Sequence, residues 1–321
     1  MTIPPTLRPG IERIVWIPPT LLGITLVTFA LMQAAPGDPA SLRAGEGRGA
    51  TPERIADYRA LAGLDRPFLE RYGQWLVRSA GLDFGLSTSD GRPARTRVAE
   101  ALPVTVALGS LAALLALGCA LGIGTWSAAR RGRRDEQVVG LILSVAYGVP
   151  AAVIALLLIR AGAPLSNAGS GHLPSLRELL APAVCLALPS VVVLARHHRA
   201  ALVTALTADY VRTARAVGAS PRRALLGHAL RNAMLPLVTL SGTLVPALLS
   251  GSVVVERIFG LHGVGMLGCD ALLDRDYPTL MALTTLAALL TVAGSLAADA
   301  GAWLLDPRLR QRGVAPPSVP R

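Results

Sequence analysis

The 321-residue sequence is 52% apolar and only 16% charged, with a mean hydropathy of +0.51. That is too apolar for an ordinary soluble domain and suited to a bilayer. All 31 basic residues are arginine, so a net charge of +11 is carried without a lysine, which excludes both a P-loop GxxxxGK(S/T) motif and lysine Schiff-base chemistry in this sequence.

Cys119, Cys185 and Cys269 lie far apart with no CxxC or Cys/His spacing, so neither a zinc site nor a disulfide framework is expected. His197 and His198 are read as loop residues without a nearby acidic ligand, and no metal is expected there. The sequence offers no catalytic constellation, no directly bound cofactor and no nucleic-acid motif.

A hydrocarbon core of about 30 Å takes roughly 20 helical residues to cross, and six stretches qualify. The first runs from Ile14 to Ala35 behind Arg8 and Arg13; it is longer than a signal-peptide core and is read as a retained anchor. The segment 36–100 follows as a unit of its own with short helices. It opens with a rigid turn at Ala35–Pro39, a helix start at Thr51-Pro52-Glu53 and a break at Gly63–Pro67. A second short helix there carries Phe68, Tyr72, Trp75 and Leu76 at i, i+4, i+7 and i+8, a stripe that fits either the membrane interface or packing on the spans.

The second span is expected at Ala101–Trp126, the third at Val138–Ile159 and the fourth, with Pro182 and Pro189, at Leu179–Ala195. The fifth is expected at Ala233–Val255 and the sixth at Thr279–Leu305. A Gly/Ser/Asn-rich loop, Arg160–Arg177, joins the third to the fourth. Glu256–Gly265 reads as a glycine-rich turn before the last span, and Asp306-Pro307-Arg308 as a helix stop opening a tail, 306–321.

Arginine placement sets the expected orientation. The N-terminus, Arg130–Arg134, Arg196–Arg231 and Arg308–Arg321 hold 17 arginines against five acids, whereas Pro36–Arg97 holds ten against eight. The strongly basic flanks are expected in the cytoplasm, with both termini inside and the 36–100 segment outside.

Between the fourth and fifth spans lies a polar island, Asp209–Asn232, within an expected loop 196–232. Tyr210–Val217 reads as a short helix, Gly218 as its left-handed C-terminal residue, and Ser220-Pro221 as the N-cap and first residue of a second helix. Arg212, Arg215, Arg222, Arg223 and Arg231 keep this unit in water, while Val211, Ala214, Val217, Leu225, Leu226 and Leu230 form an apolar stripe for docking. A basic loop touching anionic membrane lipid is the plainer alternative.

Five of the six spans contain no Asp, Glu, Arg or His, and the sixth contains only Asp299; a proton-coupled carrier would need titratable groups. The fifth span instead lines up Thr239, Thr243, Pro246 and Ser250 on one face. That face suits either an uncharged translocation path or small-residue helix packing, with Gly242 and Gly251 as close-packing positions.

Asp209, Tyr210, Arg212, Ala214, Arg215, Ala216, Gly218, Ala219, Ser220 and Arg222, followed by HALRNAMLP with Leu235-Pro236, resemble the cytoplasmic "EAA" loop of ABC-importer permeases. The fit is to the dipeptide/oligopeptide branch, where the Leu-Pro pair also comes late. PPTLLGITLVTFALMQAAPGDP, GLDRPFLERYGQWL, GLDFGLS and the Glu-x-x-Phe…Gly-x-Gly pattern at Glu256–Gly265 extend the resemblance over nearly the whole sequence.

The resemblance implies an all-α, six-span, type I importer permease in the cytoplasmic (inner) membrane. Its partners would be a second homologous permease, two cytoplasmic ATPase subunits that use the ATP, and an extracytoplasmic substrate-binding protein. The loop would couple to an ATPase, and the substrate would be a peptide, with nickel chelates, glutathione or saccharides as alternatives within the same architecture. A secondary carrier or a non-transporting scaffold are the alternatives outside it.

Overall fold

The structure is a computed structural model that describes residues 8–34, 66–166 and 173–305. The expected features at Ala35–Pro39, Thr51–Glu53 and Gly63–Asp65, the middle of the 160–177 loop and the tail from Asp306 lie outside the described residues. Among the described residues there is no strand beyond one bridged pair, Leu86 and Pro93.

The helices, in chain order, are α1 (Arg8–Ala34), α2 (Phe68–Ala80), α3 (Ala94–Ala129), α4 (Arg134–Gly148), α5 (Ala151–Arg160) and α6 (Leu176–Thr207). They continue as α7 (Asp209–Ala216), α8 (Pro221–Ser241), α9 (Leu244–Phe259), α10 (Val264–Leu273) and α11 (Tyr277–Leu305). Four of them, α1, α3, α6 and α11, are each long and apolar enough to cross a membrane. Two bent pairs bring the total to six if each counts as one span: α4 with α5, turned by 99°, and α8 with α9, turned by 51°.

The expected third span is therefore not a straight crossing. Pro150 forces an extended conformation on Val149, and the ladder stops at Gly148 and restarts at Ala151. In contrast, Pro182 and Pro189 leave α6 unbroken over 32 residues, roughly 48 Å. That helix opens with a full capping box, Ser175 accepting from the Glu178 amide while Glu178 accepts from the Ser175 amide. It also carries on through Arg196–Thr207, so His197 and His198 are helical, not loop residues, and His198 is fully buried.

The core forms where α3 lies along α6. Ala112, Ala116, Ala120, Gly124 and Ala128 recur every fourth residue along α3 and are all buried, a seam of small side chains that lets two backbones approach in a bilayer. A Cβ at Gly124 would sit 2.9 Å from the Ala195 carbonyl oxygen and 2.8 Å from the His198 ring, which leaves room only for glycine. Outward-facing Leu141, Ile142, Val145, Leu156 and Leu157 are more than half exposed, as expected of helices solvated by hydrocarbon or covered by another membrane subunit.

The aromatic stripe of α2 packs on a span. Phe29 of α1 meets Phe68 at 5.5 Å and Tyr72 at 5.7 Å between ring centroids, and Trp75 reaches Phe84 at 6.4 Å. The Tyr72 and Thr25 hydroxyls share a hydrogen bond of 2.9 Å. Packing on the spans, one of the two compatible readings of this stripe, is realised in the described residues.

Candidate functional site

The bent loop is built by local chemistry. α7 stops at Ala216, Gly218 takes φ +101°, and Ala219 donates back to the Ala214 carbonyl at 2.9 Å. Ser220 then N-caps α8, its hydroxyl accepting from the Arg223 amide at 3.3 Å, with Pro221 as first helical residue. Nothing lies within 4 Å of a Cβ built on Gly218, so its backbone angle and not crowding makes glycine necessary there.

The apolar stripe expected across the loop divides into two faces. Val211, Ala224, Ala229 and Ala233 are buried with Leu202 and Ala205 of α6 and Ala128 of α3, and Leu225 and Leu230 pack against that cluster. Val217 and Leu226 instead point outward, 84% and 58% exposed. Asp209, Tyr210, Arg212, Arg215, Ala216, Gly218, Ser220 and Arg222 are exposed around them, with Ala214 and Ala219 half-buried. The inner face thus fixes the bend to the ends of α3 and α6, while the outer one presents apolar side chains ringed by arginine.

Just after Arg223 the hydrogen-bond ladder widens to π-helical over Ala224–Ala229. No local pattern in the sequence marks it, and such π-helical insertions occur frequently at functional sites. It lies between the bent loop and the 51° turn at Gly242-Thr243.

Thr239, Thr243, Pro246 and Ser250 share one exposed face of the α8–α9 pair. Their three hydroxyls are turned back onto their own helix, bonding the carbonyls of Leu235, Leu240 and Ala247 at 3.0, 2.7 and 3.0 Å. The face is open to whatever lies beside this chain, and none of these four residues lines the cavity that the same helices border. Gly242 and Gly251 do sit at close approaches, toward Ala298 and Leu186.

A cavity of about 430 Å³ lies on another side of the same helices, between α3, the α8–α9 pair and α11. Its walls are mostly apolar, with Thr105, Ser110, Ser241 and Ser252 as hydroxyl groups.

Two carboxylates near the end of the molecule away from the bent loop are buried: Glu256, which opens the Glu-x-x-Phe…Gly-x-Gly pattern, and Asp276, which no motif in the sequence marks. Glu256 is the first charged residue after the fifth apolar run, and it is fully buried. Its glycine-rich sequel was legible, but that the sequel folds back onto Glu256 was not. Asp276, also fully buried, caps α11 and accepts hydrogen bonds from Ser87 and Thr88, a pairing between distant segments with no local signal.

Residues 120–311 match the family described as the binding-protein-dependent transport system inner membrane component, and residues 7–109 match the N-terminal region described for such membrane components. The oligopeptide transport system permease protein AppB of Bacillus subtilis is 34% identical over 313 residues, covering 93% of this chain and 98% of that protein. The dipeptide transport system permease protein DppB of Escherichia coli is 31% identical over 335 residues, covering 94% of this chain and 98% of that protein.

Proposed function

This chain belongs to the family of binding-protein-dependent transport system inner membrane components, and from that membership we propose that it is the permease subunit of an ATP-driven importer that takes up peptides. The observation that carries the reading is the bent loop at Gly218. It is an exposed unit in which Val217 and Leu226 stand among arginines at the root of a span that is itself bent. Full-length similarity to oligopeptide and dipeptide permeases supports the peptide class.

In this reading Asp209–Arg222 docks in a cleft of one cytoplasmic ATPase, and closure of two ATPase subunits on ATP pulls on α8. The inner face of the loop is packed on α3 and α6, so the pull reaches the spans as a change between two packings. A second homologous permease covers exposed apolar helix faces, and an extracytoplasmic binding protein delivers the peptide. Both termini and the bent loop face the cytoplasm, in keeping with the arginine bias. The Thr239–Ser250 face looks onto the path between the two permeases.

The substrate class is tested on the binding protein that co-purifies with the assembled transporter. Retention of di- or oligopeptides in a ligand screen is the expected result. Retention of a nickel chelate, glutathione or a saccharide with no peptide bound would overturn the peptide assignment.

A further inference from the structure

Glu256 is placed where a charge needs a reason. Its Oε1 accepts from the Thr105 hydroxyl of α3 at 2.7 Å and its Oε2 accepts from the Met266 amide of α10 at 3.0 Å. The Thr105 oxygen in turn accepts from the Val264 amide at 2.7 Å. Two first-turn amides of α10, which no helical carbonyl can satisfy, are thus held by one carboxylate and one hydroxyl from two other helices. The glycines make this approach possible: a Cβ at Gly263 would lie 2.5 Å from both the Glu256 carboxylate and Thr105 Oγ1, and one at Gly265 would lie 2.7 Å from the Val253 Cα.

α10 packs against α3, α9 and α11, the three helices that together with α8 wall the 430 Å³ cavity, and Thr105 and Ser252 belong both to that wall and to the neighbourhood of Glu256. Outside this buried knot, α10 is joined to α9 by the half-exposed pair Arg257–Asp270 at 2.6 Å. The geometry points to a latch: Glu256 and Thr105 hold α10 closed over the end of the cavity away from the bent loop, and α10 is the lid that must leave them for that end to open. As a part of the transport cycle the lid rests on the permease reading above, but the latch itself does not.

A carboxylate suits the task because it accepts from both sides at once. An amide at the same place keeps one acceptor and turns a donor toward the other partner. Glu256→Ala leaves the Met266 amide and the Thr105 hydroxyl without their acceptor, and Thr105→Val removes the acceptor of Val264. The outer ion pair, screened by solvent, holds little.

The test is hydrogen–deuterium exchange of the Val264–Leu273 segment in the full transporter assembly in lipid nanodiscs. At rest the wild type is expected to protect Val264 and Met266. Glu256→Ala and Thr105→Val should speed exchange there by about tenfold or more, Glu256→Gln by less, and Arg257→Ala by no more than about twofold. Thr105→Ser should behave as wild type, which separates loss of the hydroxyl from general damage at this position. Trapping the wild type with ATP and vanadate should deprotect the same amides.

Unchanged exchange in both Glu256→Ala and Thr105→Val would overturn the latch. Faster exchange in the variants but none on trapping, in an assembly competent for uptake, would make α10 a fixed strut and overturn the lid. Loss of protection in the variants together with no ATP-driven uptake by the wild type would support the latch and overturn the transport reading instead.

Discussion

The Ser87 hydroxyl donates to Asp276 Oδ2 at 2.5 Å, joining residues 189 positions apart. The same carboxylate accepts from the Thr279 hydroxyl at 2.6 Å, the Thr88 amide at 3.0 Å and the Arg97 guanidinium at 2.7 Å. Arg97 also pairs with Asp90 at 3.3 Å. One side chain therefore caps α11 and pins the turn at residues 81–93 to the start of α3.

Asp276→Asn should lower the thermal stability of the purified protein by about 3 kcal/mol, the low end for breaking a buried pair, because Arg97 keeps Asp90. Burial alone would push the Asp276 carboxyl up, but hydrogen bonds from Ser87, Thr279 and the Thr88 and Thr279 amides outweigh it and hold the carboxyl below the usual range. With the folded value below the unfolded one, the stabilisation is fully present above about pH 4 and is lost as pH falls through the folded value. Melting curves of wild type and variant should therefore converge on acidification; a gap that stays constant down to about pH 2 would show that the charge of Asp276 is not what stabilises.

Gly218→Val should strain the bend by about 1–2 kcal/mol, since φ +101° disfavours a β-branched side chain. Recovery of the ATPase subunits with the tagged permease should fall severalfold while the amount in the membrane is unchanged. Gly227→Ala, at an exposed helical glycine with open space around its Cβ, serves as the control and should co-purify normally. Full recovery with Gly218→Val would remove the loop from its docking role.

Orientation is read by single cysteines in a background lacking Cys119, Cys185 and Cys269. Ser87 is buried and cannot report, whereas Arg95 and Val217 are exposed. Cysteine at Arg95 should react with a membrane-impermeant thiol reagent added outside intact cells, and cysteine at Val217 only in inverted vesicles. Labelling of both from one side would refute the proposed topology.

Thr243→Leu and Ser250→Leu enlarge the exposed face of α8–α9 without touching the bent loop. If that face borders the path, uptake of bulky peptides should slow severalfold more than uptake of small ones, with ATPase recovery unchanged. Equal loss for every peptide size would point to damaged helix packing, and no loss to a face turned toward lipid.

What the sequence made legible follows the range of the forces involved. The apolar runs of α3, α6 and α11 announce themselves because a bilayer imposes length and hydropathy locally. The Gly218 bend and the Ser220 cap are equally local, and both lie at the residues that the composition marks. The break at Gly148–Pro150 hid inside a run that is apolar on both sides, and proline was no reliable guide because Pro103, Pro182 and Pro189 sit in unbroken helices. The burial of Glu256 and Asp276 is not legible for another reason. Each is buried by partners from distant segments, Thr105 of α3 and Ser87 of the turn, and no window along the chain contains both halves of such a pair.

Reconstitution into proteoliposomes tests whether this chain is a peptide permease driven by ATP hydrolysed on other subunits. With a second permease, both ATPases and the peptide-loaded binding protein, the chain should support peptide accumulation that requires ATP and persists when a protonophore collapses the proton gradient. Omission of the ATPases should abolish it. Peptide uptake that proceeds without ATPase subunits, or that stops with the proton gradient while ATP remains, would show that the chain is not an ATP-driven permease.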